Sequence, residues 1–117
     1  MRLPASCFEP VSICMEEGLP MSDLRTQEVE DMLSVFCSVN DNDTMFALME
    51  DLLTIREIKE TSQRLAVAKM LDEGKPYVSI GEATGASATT IARVSKALNY
   101  GSGGYRAALD ILNGSGE

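Results

Sequence analysis

From Ser22 to Leu112 the apolar residues of this chain recur mostly every three or four positions, broken by short polar or glycine-bearing stretches. That spacing predicts a succession of amphipathic helices, and no stretch shows the alternation of a half-buried strand. Ser22 is placed to cap a first helix carrying Leu24, Val29, Met32, Leu33, Phe36 and Val39. Asn40-Asp41-Asn42-Asp43 ends it, because short polar side chains favour turns and caps over helix interiors. A short helix over about 44–53 follows. Met45, Phe46, Leu48, Met49, Leu52 and Leu53 fill it more widely than one buried stripe requires. It is either a central core helix of a monomer or a helix enclosed between two subunits.

Thr54-Ile55-Arg56-Glu57 has the form of a capping box and predicts the start of a long third helix. Ile58, Leu65, Ala68 and Leu71 line one side of that helix, and Ala66, Val67 and Met70 widen the apolar surface. Gly74 ends it, and Pro76 signals the next start. Two short helices are expected at about 77–84 and 88–98, joined by a tight turn at 85–87. A flexible link over 99–104 leads to a last helix, about 104–112, with Tyr105, Ala108, Leu109 and Leu112 on its apolar side. The fold class is all-α, with about six helices. Residues 1–20 lack a sustained period and read as a flexible extension, 21–113 as one helical domain, and 114–117 as a tail.

The pair at 77–98 has the form of a helix-turn-helix, whose second helix enters the DNA major groove. Ile80 and Ala83 are expected to face inward from the first helix, and Ile91, Val94 and Leu98 from the second. Gly81 is small where the helices cross, Gly85 suits a turn needing positive φ, and Ser87 suits a helix cap. The outer face then carries Ser87, Ala88, Thr89, Thr90, Ala92, Arg93 and Lys96 as candidate DNA contacts. Thr89 and Thr90 can exchange hydrogen bonds with base edges, Ala88 can meet a thymine methyl, and Arg93 and Lys96 suit phosphates. The competing reading is an ordinary helical hairpin in a packed core. Tyr77 suits either a backbone contact or closure of the core.

Charge changes the picture locally. The chain is acidic, with net charge −8. Residues 1–73 hold six Lys/Arg against fifteen Asp/Glu, whereas residues 74–106 hold Lys75, Arg93, Lys96 and Arg106 against Glu82 alone. A basic segment on an acidic body can meet phosphates there while the rest repels them. Histidine is absent, which removes Ser-His and Cys-His catalysis and His-bearing zinc sites. No enzyme activity, cofactor or metal site is expected, and Cys7 and Cys14 lack further ligands for one. The odd set Cys7, Cys14 and Cys37, with no export signal, fits free thiols in a reducing cytoplasm. No run reaches membrane-spanning length, so no membrane partner is expected.

The segments Leu52-Leu53-Thr54, Gln63-Arg64-Leu65-Ala66-Val67-Ala68-Lys69-Met70-Leu71 and Glu73-Gly74-Lys75 are then followed by Thr84-Gly85-Ala86-Ser87, Thr90-Ile91-Ala92-Arg93-Val94 and Leu98-Asn99-Tyr100-Gly101. On these, the chain resembles the Trp repressor superfamily, and more closely its YerC/YecD subgroup, over roughly residues 44–112. The resemblance implies an intertwined homodimer that presents two reading heads to a roughly palindromic operator in double-stranded DNA. It also implies a possible ligand pocket at Thr54, Arg64 and Arg93, which match positions used by the tryptophan-binding branch. Val94, however, stands where that branch has a glycine that makes room for the indole, and Ala97 where it has a serine. Tryptophan is therefore not the expected effector, and any small-molecule effector is unidentified.

Thr54 is also explained as a cap, and Arg64 as a partner of Glu60 on the same helix face. Val78 and Gly81 occupy places where the family carries basic DNA contacts. Two functions follow: a dimeric transcriptional regulator, or a helical interaction module that keeps the fold without specific DNA binding.

Overall fold

A computed structural model describes residues 24–114, and these form six helices and no strand. The predicted Ser22 cap, the extension 1–20, Cys7, Cys14 and most of the tail lie outside the described residues. Helix α1 spans Gln27–Ser38 and α2 Asn42–Leu52; α3 spans Ile55–Asp72, α4 Tyr77–Thr84, α5 Ala88–Tyr100 and α6 Gly104–Leu112. The chain divides into two compact units at Met49/Glu50, within α2.

In the first unit Thr26 caps α1, its hydroxyl accepting from the Val29 N–H at 3.2 Å. Arg25 grips Glu30 with two hydrogen bonds, Nε to Oε2 at 2.7 Å and Nη2 to Oε1 at 3.1 Å, which hold the Glu30 carboxyl below its ordinary pKa. The Asn40–Asp43 stretch divides between two jobs. Asp41 accepts from the Thr44 N–H at 2.9 Å, so α2 opens at Asn42, two residues before the predicted start. Neither α1 nor α2 contains a buried residue, and Met32, Val35, Phe46 and Leu52 are exposed. The expectation that 44–53 forms the core helix of a monomer therefore fails.

The core lies in the second unit. Val67 and Ala68 of α3, Ile80 of α4, Ala86 of the turn, Ile91 and Val94 of α5 and Leu109 of α6 are buried together. Met70, Leu71, Leu98 and Tyr105 pack around them half-buried. α3 is the scaffold, touching α4, α5 and α6. Its start is the predicted capping box: Thr54 Oγ1 accepts from the Glu57 N–H at 3.1 Å while Glu57 Oε1 accepts from the Thr54 N–H at 2.9 Å. A salt bridge of 3.0 Å from Arg106 to Asp72 ties α6 to the end of α3.

One inward assignment needs correction, and one apolar position is left outside the core. Ala83, expected to face inward, is exposed, and so is Leu112 on the apolar side of α6, whereas Leu98 packs half-buried against the core as expected. α4 has only two turns, and its inward place beside Ile80 is taken by Ala86 from the turn. α5 also runs on to Tyr100, two residues beyond the predicted end, and stops at Gly101. A Cβ at Gly101 would collide with the Ala97 carbonyl, which explains the glycine of the Leu-Asn-Tyr-Gly segment.

Thr54→Ala removes half of the capping box and is expected to cost about 1 kcal/mol, read from the urea midpoint, with Thr54→Ser keeping most of it. The Thr44 N–H holds the Asp41 carboxyl below its ordinary pKa. Its stabilisation of the α2 start is complete above the unfolded-state aspartate pKa and is lost as pH falls through the lowered folded value. Helicity measured across an acid titration should show this loss in the wild type, and Asp41→Asn should flatten it.

Candidate nucleic-acid interface

The two-helix unit is built on apolar anchors. Ile80 from α4 and Ile91 and Val94 from α5 are fully or almost fully buried against Val67 and Ala68 of α3. Fixing these three inward leaves the opposite side of α5 outside, since positions three and four apart share a face. Between the helices Gly85 sits at φ 80°, and its N–H donates to the Gly81 carbonyl at 2.8 Å. Ser87 then caps α5, its Oγ accepting from the Thr90 N–H at 3.1 Å. Gly81 lies close to the turn more than to the facing helix: a Cβ there would sit 3.4 Å from the Ala86 carbonyl and 3.9 Å from Ile91 Cδ1.

Of the seven predicted contact residues, Ser87, Ala88, Thr89, Ala92, Arg93 and Lys96 are exposed. Thr90 departs from the prediction. It is half-buried, and its hydroxyl accepts from Ser87 Oγ at 3.1 Å, so it belongs to the cap as much as to the surface. Arg93 and Lys96 enter no ion pair among the described residues, as does Lys75 in the loop before α4. Arg106, the fourth cation of the basic segment, is held by Asp72. That hydrogen bond, then the charge of Asp72, raises its pKa further. The basic segment thus keeps three cations outside the ion pairs of the described residues, two of them on α5.

The outer surface of α4 is different in kind. Val78 is 71% exposed and Tyr77 45%. With Gly81, Glu82, Ala86, Ala88 and Ile91 they line an open hollow of about 310 Å³ between α4 and α5. Tyr77 therefore neither closes the core nor is hidden by it.

Nothing joins the three predicted pocket residues. Thr54 is occupied as a cap. Arg64 reaches only the Thr61 hydroxyl at 3.5 Å, and the expected Arg64–Glu60 pair is absent because Glu60 takes Arg56 at 3.1 Å. Arg93 lies exposed on α5, while its neighbour Val94 is only 2% exposed and points into the core.

Two cross-helix polar contacts escaped sequence reasoning. One is Asp72–Arg106; the other is a hydrogen bond from Gln63 Nε2 on α3 to the Thr84 carbonyl at 3.0 Å. Gln63 does open the Gln-Arg-Leu segment that carries the family resemblance, but nothing in its local spacing names Thr84.

Comparison with known proteins agrees with this geometry. Residues 25–113 match the family described as Trp repressor protein. The YerC protein of Bacillus subtilis (strain 168) is 41% identical over 92 residues, which is 79% of this chain and 88% of that protein. The crystal structure of a TrpR-like protein from Eubacterium eligens ATCC 27750 superposes with a TM-score of 0.75 at 44% identity, covering 80% of this chain and 96% of that one. A candidate Trp repressor from Staphylococcus aureus gives 0.76 at 32% identity, covering 82% and 96%.

Because Gly85 is left-handed, Gly85→Ala should destabilise the chain by about 1–2 kcal/mol. Thermal unfolding of the variant checks this, and an unchanged midpoint would remove the turn's claim to strain.

Proposed function

The chain belongs to the Trp repressor family, and on that footing we propose that it is a sequence-specific DNA-binding transcriptional regulator. It binds a roughly palindromic operator in double-stranded DNA as an intertwined homodimer. The observation that carries this reading is the division of α5 into two faces. Ile91 and Val94 are locked in the core, while Ser87, Ala88, Thr89, Ala92, Arg93 and Lys96 are outside with two unpaired cations among them. A rigidly held helix with small polar residues and free cations on its open face is what groove reading requires.

The exposed apolar residues of α1 and α2 support the dimer. Two helices without one buried residue leave Met32, Val35, Phe46 and Leu52 in water. A second copy covers such faces, and a core of seven buried residues among those described, two of them alanines, is small support for six helices. Val94, buried in the core where the tryptophan-binding branch has a small glycine, supports an effector other than tryptophan. The compartment that fits such a regulator is the cytoplasm. No described helix is long and apolar enough to cross a membrane.

One observation favours a second reading, a helical interaction module without specific DNA binding. The outer side of α4 offers Val78, Tyr77 and Glu82, where phosphate contacts would need cations.

Binding to duplexes separates the two. Arg93→Ala and Lys96→Ala should each weaken binding to all sequences alike and reduce the slope of log K against log salt by about 0.9. Thr89→Ala should instead relax preference at one base position, costing roughly tenfold on the best duplex. Thr90→Ala also removes a cap partner, so it is the poorer probe. A duplex preference that survives Thr89→Ala together with Ala88→Gly would sink the recognition-helix assignment.

A further inference from the structure

We propose that Gln63 is a positioning residue for the recognition helix, a strap from α3 that sets the direction in which α5 meets a duplex. The proposal rests on the DNA-binding reading above and deepens it.

Apolar packing and hydrogen bonding divide the work here. Ile80, Ile91 and Val94 hold α4 and α5 against Val67 and Ala68, but burial is non-directional and tolerates small rotations. Hydrogen bonds weaken steeply when bent, so they fix an angle. Between α3 and the two-helix unit, the described residues form one side-chain hydrogen bond, from Gln63 Nε2 to the Thr84 carbonyl at 3.0 Å. Thr84 closes α4, and the carbonyls of a last turn lack intrahelical partners, so Gln63 satisfies a group the helix leaves over.

Thr84 passes the constraint on in both directions. Its hydroxyl donates to the Ile80 carbonyl at 2.7 Å, back along α4, and accepts from the Ala86 N–H at 3.1 Å, forward into the turn. Gly85 lies between, at φ 80°, and a Cβ built there would come 3.8 Å from Gln63 Nε2. The side chain of Gln63 thus lies directly against the turn. From Ala86 the chain enters the Ser87 cap and then α5. Each link from scaffold to recognition helix is therefore a directional contact: Gln63 to Thr84, Thr84 to Ala86, and the cap to Thr90.

Gln63 and Thr84 are both half-buried, beside an open hollow of about 400 Å³ that they line with Lys59, Ser62, Ala66 and Ala83. Without the strap this edge is unfilled space, into which the end of α4 can shift. Overall attraction to phosphates depends on Arg93, Lys96 and Lys75 and is insensitive to such a shift. Base reading depends on side chains held at fixed angles, and is sensitive to it.

Gln63→Met keeps the length and removes the donor; Gln63→Lys keeps a donor at similar reach. Two measurements on the full-length chain decide the matter. Amide hydrogen exchange should accelerate roughly tenfold at Gly85 and Ala86 in Gln63→Met, the scale of one lost hydrogen bond. It should be unchanged at Val67 and Ile91, and largely restored at the turn in Gln63→Lys. Binding is then compared on a duplex enriched by the wild type from a random pool and on a mixed-sequence duplex. The ratio of the two affinities should fall roughly tenfold in Gln63→Met, with the mixed-sequence affinity and its salt slope unchanged.

Unaltered exchange at the turn would overturn the strap. Faster exchange with an undiminished affinity ratio would overturn its role in reading and leave it a contribution to stability. A wild type that enriches no duplex would overturn the DNA-binding reading, and would do so before any variant is made.

Discussion

The structure depends on the packing of α5 against α3. Val67 and Ala68 of α3 are buried in one cluster with Ile91 and Val94 of α5, together with Ile80 and Leu109. Each fully buried aliphatic side chain contributes about 1.5–3 kcal/mol, so this small cluster supplies most of what holds the second unit together. The same contact decides which side chains α5 exposes. By committing Ile91 and Val94 to the core it turns Thr89, Arg93 and Lys96 outward. It also commits Val94, the neighbour of Arg93, to the core.

Electrostatics follow from that arrangement. The body of the chain is acidic, and ion pairs among the described residues, Arg25–Glu30, Arg56–Glu60 and Arg106–Asp72, absorb cations into the fold. Arg93 and Lys96 enter none of these pairs. On the DNA-binding reading proposed above, an acidic protein with a few free cations on one helix would repel a duplex from most directions and accept it from one. Affinity built on so few phosphate contacts would be modest, and orientation would matter more than attraction. That is the place of the proposed Gln63–Thr84 strap.

Much of this was legible in the sequence wherever cause and effect lie within a turn or two. The Thr54–Glu57 box, the Ser87 cap, the positive φ of Gly85 and the inward set Ile80, Ile91 and Val94 are all local consequences of spacing. Other features required knowing how helices are rotated against one another. Gln63 and Thr84 are 21 residues apart and Arg106 and Asp72 are 34 apart; no periodicity brings them together. Local rules also misled where they offered two answers. Glu60 has an arginine four residues before it and another four after, and the structure uses Arg56. Thr90 stands on the outer arc of α5, yet its hydroxyl turns back to Ser87. The wide apolar content of 44–53 left two readings open, a monomer core helix or a helix enclosed between two subunits, and a single copy leaves the helix without a buried residue.

Reading of duplex sequence by α5 is the proposal on which the rest turns. It is tested most directly by selecting bound duplexes from a random pool with the full-length chain at two salt concentrations. The account predicts enrichment of one palindrome with half-sites about one helical turn apart, sharper at the higher salt, where non-specific attraction is screened. A pool that stays random even at low salt would contradict it, and would leave the exposed apolar side of α4 as the surface that matters.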